Sequence, residues 1–127
     1  MTYLSLKPLE DLWSSTEELF KRFDLQPTLD AQSRKFFEEI YEFTSAVTTY
    51  WVTDNVDPFT EGYDIRPEIA KNAVAELTDA IVVGMALCMK LGIQFEQLQD
   101  AFEFVIDKND AKTPYTHEVI DGMIIRK

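Results

Sequence analysis

Between positions 9 and 23 the apolar residues Leu9, Leu12, Trp13, Leu19, Phe20 and Phe23 return at steps of three and four, the interval that gathers side chains on one face of an α-helix. Pro8 stands where such a helix can open, so the pattern predicts a first amphipathic helix there. Pro27 interrupts the periodicity, after which Asp30 is placed to cap a second helix running to about Trp51. Positions 52–67 read as a linker, because Asp54-Asn55, Asp57-Pro58, Gly62 and Pro67 are all turn or breaker chemistry. A third helix is predicted from near Pro67 to Gly92, and a fourth over 95–108 with Phe95, Leu98, Phe102, Val105 and Ile106 on one stripe. In the tail, Val119-Ile120 and Met123-Ile124-Ile125 flank Asp121-Gly122, a dipeptide favoured by two-residue hairpin turns, so a small β-hairpin is expected. No repeat or low-complexity segment breaks this order.

The chain has 127 residues, 46% of them hydrophobic, which suits one domain with a packed core. Twelve Lys and Arg stand against 23 Asp and Glu, a net charge of −11, and this disfavours both a nucleic-acid polymer and an anionic membrane surface as partner. Cys88 is the only cysteine and His117 the only histidine, so an intrachain disulfide, a cysteine-rich zinc site and a two-histidine metal motif are excluded. The first residues lack the apolar stretch of a secretory signal, and the apolar run over 80–89 is half of the about 20 residues a membrane span needs. A cytoplasmic protein is expected.

The acidic residues change this picture, because several fall where a core should be. Taking 100° per residue and Glu38 as zero, Glu42 lies at about 40° and Glu39 at about 100°, while Ala46, Tyr50, Phe43, Phe36, Val47 and Ile40 span about 80° to 200°. Glu39 therefore enters the buried stripe, Glu42 lies on its margin and Glu38 points outward. The third helix repeats the pattern: its segment 80–89 is apolar all round, as in a helix surrounded by others, and Glu76 and Asp79 stand just before it. Glu76 shares its azimuth with Ile69, Val83 and Leu87. Bringing the two helices together would gather Glu39, Glu42, Glu76 and Asp79, whose repulsion demands a counter-charge. Arg34, Lys35, Arg66 or Lys71 could supply it, but an all-oxygen set also suits Mg²⁺.

The run Lys35-Phe-Phe-Glu38-Glu39-Ile-Tyr-Glu42-Phe, followed by Ala75-Glu76-Leu-Thr-Asp79-Ala, resembles the Glu-Glu-x-x-Glu and Glu-x-x-Asp signature of the all-α nucleotide pyrophosphohydrolases. That superfamily includes MazG-like enzymes, dimeric dUTP pyrophosphatases and phosphoribosyl-ATP pyrophosphohydrolase. Asp107-Lys108-Asn109-Asp-Ala-Lys112 is similar to the Lys-Asn-x-x-Arg/Lys segment of several members. The tail from Asp121 to Lys127 is similar to the Asp-Gly tail of phosphoribosyl-ATP-pyrophosphohydrolase-like proteins, many of them from phages.

The resemblance implies an all-α, four-helix-bundle-like domain of MazG-like architecture over 1–127, forming a homodimer or homotetramer. It implies that Glu39, Glu42, Glu76 and Asp79 hold Mg²⁺, with Mn²⁺ as a substitute, and that Glu38 and Glu39 are catalytic, Glu38 as a further ligand or water-orienting base. Lys108, Asn109 and Lys112 would approach the nucleotide phosphates. Two departures bear on the substrate: 34 positions separate Glu42 from Glu76, longer than the family's usual spacing, and Lys112 stands where many relatives carry Arg, which removes bidentate phosphate contact. The implied reaction is hydrolysis of a nucleoside triphosphate to the monophosphate and pyrophosphate. Phosphoribosyl-ATP is an alternative substrate, a silent nucleotide-binding or helical interaction module a second alternative, and an acidic bundle with a purely stabilising metal a third.

Other residues carry plainer readings. Lys108 and Lys112 also suit the C-terminal end of a helix dipole with Asn109 as its cap. Trp51, Phe59 and Tyr63 border the linker, where they could stack on a base or serve a subunit contact. Met85, Cys88 and Met89 read as core, His117 as surface, and the four glycines form no phosphate-binding loop.

Overall fold

Pro8 lies in the first turn of α1 (Lys7–Arg22), a position that needs no intrahelical N–H, and Glu10 near the start with Lys21 and Arg22 at the end complement the helix dipole. The helix closes through Asp24, whose left-handed φ of 49° lets Leu25 N–H reach back to Phe20 O at 2.9 Å. The inward face carries Trp13, at 4% exposure, and Thr16, whose hydroxyl donates to Leu12 O.

These observations come from a computed structural model that describes residues 6–127. The chain divides into two compact units, one ending at Ile93 and the other running from Gln94 to Lys127. The described chain is predominantly helical, with four helices and two two-stranded antiparallel sheets, in keeping with the expected all-α class and terminal hairpin.

In the first unit, α2 (Leu29–Val56) is capped by Thr28 and not by Asp30: the Thr28 hydroxyl accepts the Ala31 N–H, and Asp30 instead pairs with Arg34 one turn on. The helix also outruns the expected end at Trp51 by five residues. Backbone bonding carries it on, and Asn55 donates its side-chain amide back to Trp51 O instead of breaking the helix. What remains of the linker holds a tiny hairpin, β1 (Phe59–Thr60) and β2 (Tyr63–Asp64), turned by Glu61-Gly62 with φ of 52° and 83°. Left-handed geometry at both turn residues matches the twist of an antiparallel pair. Helix α3 (Arg66–Lys90) then opens on Arg66-Pro67 and is stopped just beyond its cap Leu91 by Gly92, which takes φ 79° while Ile93 N–H bonds Cys88 O.

Helices α2 and α3 are antiparallel neighbours, and α1 packs against α3. The packed layer is thin and built on small residues: Ala46, Ala80 and Ala86 are buried with Met85 and Trp13. Of the stretch 80–89 expected to be surrounded by others, Ala80, Met85 and Ala86 are buried but Ile81 is exposed, and ahead of it Val74 and Leu77 are exposed too. Two neighbouring helices cannot cover a full cylinder of apolar side chains. The whole of α3 is long and apolar enough by composition to cross a bilayer, with mean hydropathy 1.5 over its most apolar 18 residues, although the helix also carries Glu76 and Asp79.

In the second unit, α4 (Phe95–Asp110) starts in a reciprocal cap: Gln94 N–H donates to the Gln97 side chain, and the Gln94 side chain accepts from the Gln97 backbone. It ends at Asp110, two residues past the expected end at Lys108, with Ala111 as its cap, so Asn109 is inside the helix and is not its cap. The hairpin β3 (His117–Ile120) and β4 (Met123–Arg126) pairs His117 with Arg126 and Val119 with Ile124. Its turn is Asp121-Gly122, φ 52° and 75°.

Candidate metal centre

Glu39 is the buried acid that the helical azimuths point to, at 6% exposure in the middle of α2. A carboxylate there needs compensation on both oxygens. Lys35, one turn earlier, donates its ammonium to Glu39 Oε1 at 3.0 Å and lies 3.7 Å from Glu38. Glu39 Oε2 is buried with no hydrogen-bond partner among the described residues. An orphaned buried oxygen of a charged group costs more than the roughly 1–3 kcal/mol of a neutral one, so this oxygen is a place where a further donor or cation could bind.

Two further acids stand beside it. Single carboxylate oxygens of Glu39, Glu42 and Glu76 lie within 4.8 Å of one another, two from α2 and one from α3. Opposed ligands of Mg²⁺ sit about 4 Å apart, so small side-chain rotations bring this set to bonding distance. The electrostatics report the crowding: the negative charge on Glu39, followed by burial and then by Glu76, pushes the Glu42 carboxyl above its ordinary pKa. The Lys35 ammonium is raised as well, chiefly by its hydrogen bond to Glu39, which favours its charged form. The donor set, all hard oxygen with one orphan, therefore fits a divalent cation.

Of the four acids expected to converge, the structure groups three. Asp79 is exposed, one turn beyond Glu76 on α3, and stands outside the set. Glu38 is exposed on the outer side of α2, next to Lys35. Arg66 is committed elsewhere: it forks onto Asp64 at 2.8 and 2.9 Å and reaches Asp54 at 2.8 Å, tying the end of α2 to the start of α3.

Lys108, Asn109 and Lys112 belong to the second unit. Lys108 and Asn109 occupy the last turn of α4, and Lys112, just past its end, donates to Asn109 Oδ1 at 3.2 Å. Trp51, Phe59 and Tyr63 are exposed around the β1–β2 hairpin, at 65%, 54% and 75%. The reading of His117 as a plain surface residue missed that it is half-buried and lines two cavities together with Lys112. The signal was present in the tail: once Asp121-Gly122 is the turn, the alternation places His117, Val119, Ile124 and Arg126 on one face.

No family model, curated protein or solved structure matches the chain.

Proposed function

We propose that the chain is a Mg²⁺-dependent nucleotide pyrophosphohydrolase of MazG-like, four-helix architecture, hydrolysing a nucleoside triphosphate to the monophosphate and pyrophosphate. One observation carries the reading: a buried glutamate on α2 has one oxygen without a hydrogen-bond partner among the described residues, beside two more carboxylates within 4.8 Å.

Glu39, Glu42 and Glu76 would hold the ion, with Asp79 as the fourth ligand the resemblance adds. When bound, Mg²⁺ offsets charge on the substrate phosphates and lowers the pKa of a coordinated water. The protein's own groups have separable tasks. Lys35 holds Glu39 in one rotamer through Oε1, leaving the other oxygen for binding. Glu38 is the exposed base beside this centre and the candidate for orienting the attacking water. Water adds to the α-phosphorus, the bond to the bridging oxygen breaks, and pyrophosphate leaves.

The same reading takes the protein as a cytoplasmic homodimer or homotetramer. Support comes from Phe37, Tyr41 and Val74, which are 62–72% exposed on α2 and α3 and would be covered by a second copy.

The test is pyrophosphate release from nucleoside triphosphates, deoxynucleoside triphosphates and phosphoribosyl-ATP, in Mg²⁺, Mn²⁺ and EDTA. Metal-dependent release that is lost in Glu39→Gln and Glu76→Gln supports the proposal. Turnover of phosphoribosyl-ATP alone replaces the substrate class, and silence across the panel in folded protein overturns the activity in favour of an interaction module.

A further inference from the structure

We infer that the second unit carries a mononucleotide-binding site of its own, formed by one face of the β3–β4 hairpin and the end of α4. The strand register assigns that face. Directly paired residues project to the same side, so His117 with Arg126, and two positions on Val119 with Ile124, form a strip that is cationic at the open end and apolar toward the turn.

Two cavities follow this division. The larger, about 430 Å³, is open to solvent and lined by Pro114, Val119 and Ile124 together with Lys112, Glu118 and Lys127. The smaller, about 240 Å³, is lined by Lys108, Lys112, Thr116 and Arg126. His117 and Lys112 belong to both, so the cavities adjoin. An apolar recess of this size beside convergent polar groups is the ordinary form of a small-molecule site.

The charges are available for a ligand. Among the described residues none of Lys108, Lys112, Arg126 and Lys127 forms an ion pair, although the chain as a whole carries −11 and Asp107, Glu118 and Asp121 lie in the same unit.

The surrounding backbone holds the wall in place. Thr116 accepts the Thr113 N–H through its hydroxyl and receives the Lys127 N–H on its carbonyl, and the hydroxyl lies 2.7 Å from His117 Nδ1. A phosphate suits the cationic end, where Arg126 can present two parallel donors, and a nucleobase suits the Pro114, Val119 and Ile124 recess. Glu118 also lines the larger cavity and opposes a second anion there, which favours one phosphate over three.

This site uses none of the acids on α2 and α3, so its test runs in EDTA on the full chain. His117 is the only histidine, and its ring resonances report the cavity directly by NMR at fixed pH. The probes are AMP, ribose 5-phosphate, inorganic phosphate and adenosine. AMP is expected to shift the His117 signals at the lowest concentration, inorganic phosphate more weakly, and adenosine least. Arg126→Ala and Lys112→Ala should each weaken AMP about tenfold, and Val119→Ser should reduce the preference of AMP over inorganic phosphate. Glu39→Gln should leave all four titrations unchanged, which separates this site from the proposed metal centre. No shift with AMP at millimolar concentration, or equal binding of AMP and adenosine, overturns the proposal. So does AMP binding unaltered by Arg126→Ala and Lys112→Ala.

Discussion

The ring of Phe36 on α2 lies so close to Gly84 on α3 that a Cβ added to the glycine would sit 3.2 Å from Phe36 Cε1. Together with the approach of Glu42 to Glu76, this contact fixes the two helices as antiparallel, an earlier residue of one meeting a later residue of the other. Gly84→Ala should change stability by no more than about 1 kcal/mol, since the gain in helix propensity offsets the shift of the ring. Gly84→Val should lower it by roughly 1–3 kcal/mol, because branched bulk forces the helices apart. Urea unfolding of both variants checks this, and equal stability of the two would mean the helices do not pack at Gly84.

Lys35 and a divalent cation should substitute for one another. Lys35→Ala leaves Glu39 buried with neither oxygen compensated; allowing for the half-exposed lysine, the loss in EDTA should be about 1 kcal/mol. Mg²⁺ should therefore raise the Tm of Lys35→Ala by more than that of the unaltered chain. Thermal scans across a Mg²⁺ series decide this; equal increments would place the ion away from Glu39.

Glu42 predicts a pH dependence with a definite sign. Its folded pKa lies above the ordinary value, chiefly because of Glu39, so the folded state takes up a proton more readily than the unfolded chain. Its ionised form thus weakens the fold at neutral pH, and the penalty fades as pH falls through the raised pKa. In EDTA, Glu42→Gln should raise Tm and flatten this acid-side gain, while weakening Mg²⁺ binding at least tenfold. A fall in Tm would show that the charge on Glu42 is already compensated.

Arg66 acts in the opposite direction. Its hydrogen bonds hold the Asp64 carboxyl below the ordinary 3.8, so this contribution is present above about that pH and disappears as pH falls through the lowered value. Arg66→Ala should lower Tm at pH 7 and lose most of its effect under strongly acid conditions. Arg66→Lys should recover little, because one ammonium cannot bond both Asp64 oxygens and Asp54 together. A recovery equal to the parent would reduce the clamp to simple charge attraction.

The helices and the terminal hairpin were legible because their signals are local: Pro8 and Pro67 in first turns, Gly92 at a left-handed stop, Asp121-Gly122 between two apolar pairs. Glu39 was legible because a three-residue offset on a helix decides burial. Boundaries that rest on competition were not. Thr28 and Asp30 are both good caps, and which wins depends on where the chain enters the helix. The exposure of Val74 and Ile81 was hidden because an apolar cylinder reads alike whether its own chain covers it or not. The Glu61-Gly62 turn lay among breakers that suggested only a loop, and the anionic-ligand face of the tail needed the strand register before His117 and Arg126 could be paired.

The nearness of α2 and α3 along the chain, joined by residues 57–65, also sets the order in which the carboxylates meet. Pairings between successive helices form early in folding, since little loop entropy is lost in closing them. Glu39, Glu42 and Glu76 then converge while the rest of the molecule is still assembling, and their repulsion acts as a brake on the folding rate. A divalent cation should release that brake: in stopped-flow refolding, Mg²⁺ should accelerate the folding limb and leave the unfolding limb nearly unmoved. Slower unfolding at an unchanged folding rate would instead date the meeting of the acids to after the barrier.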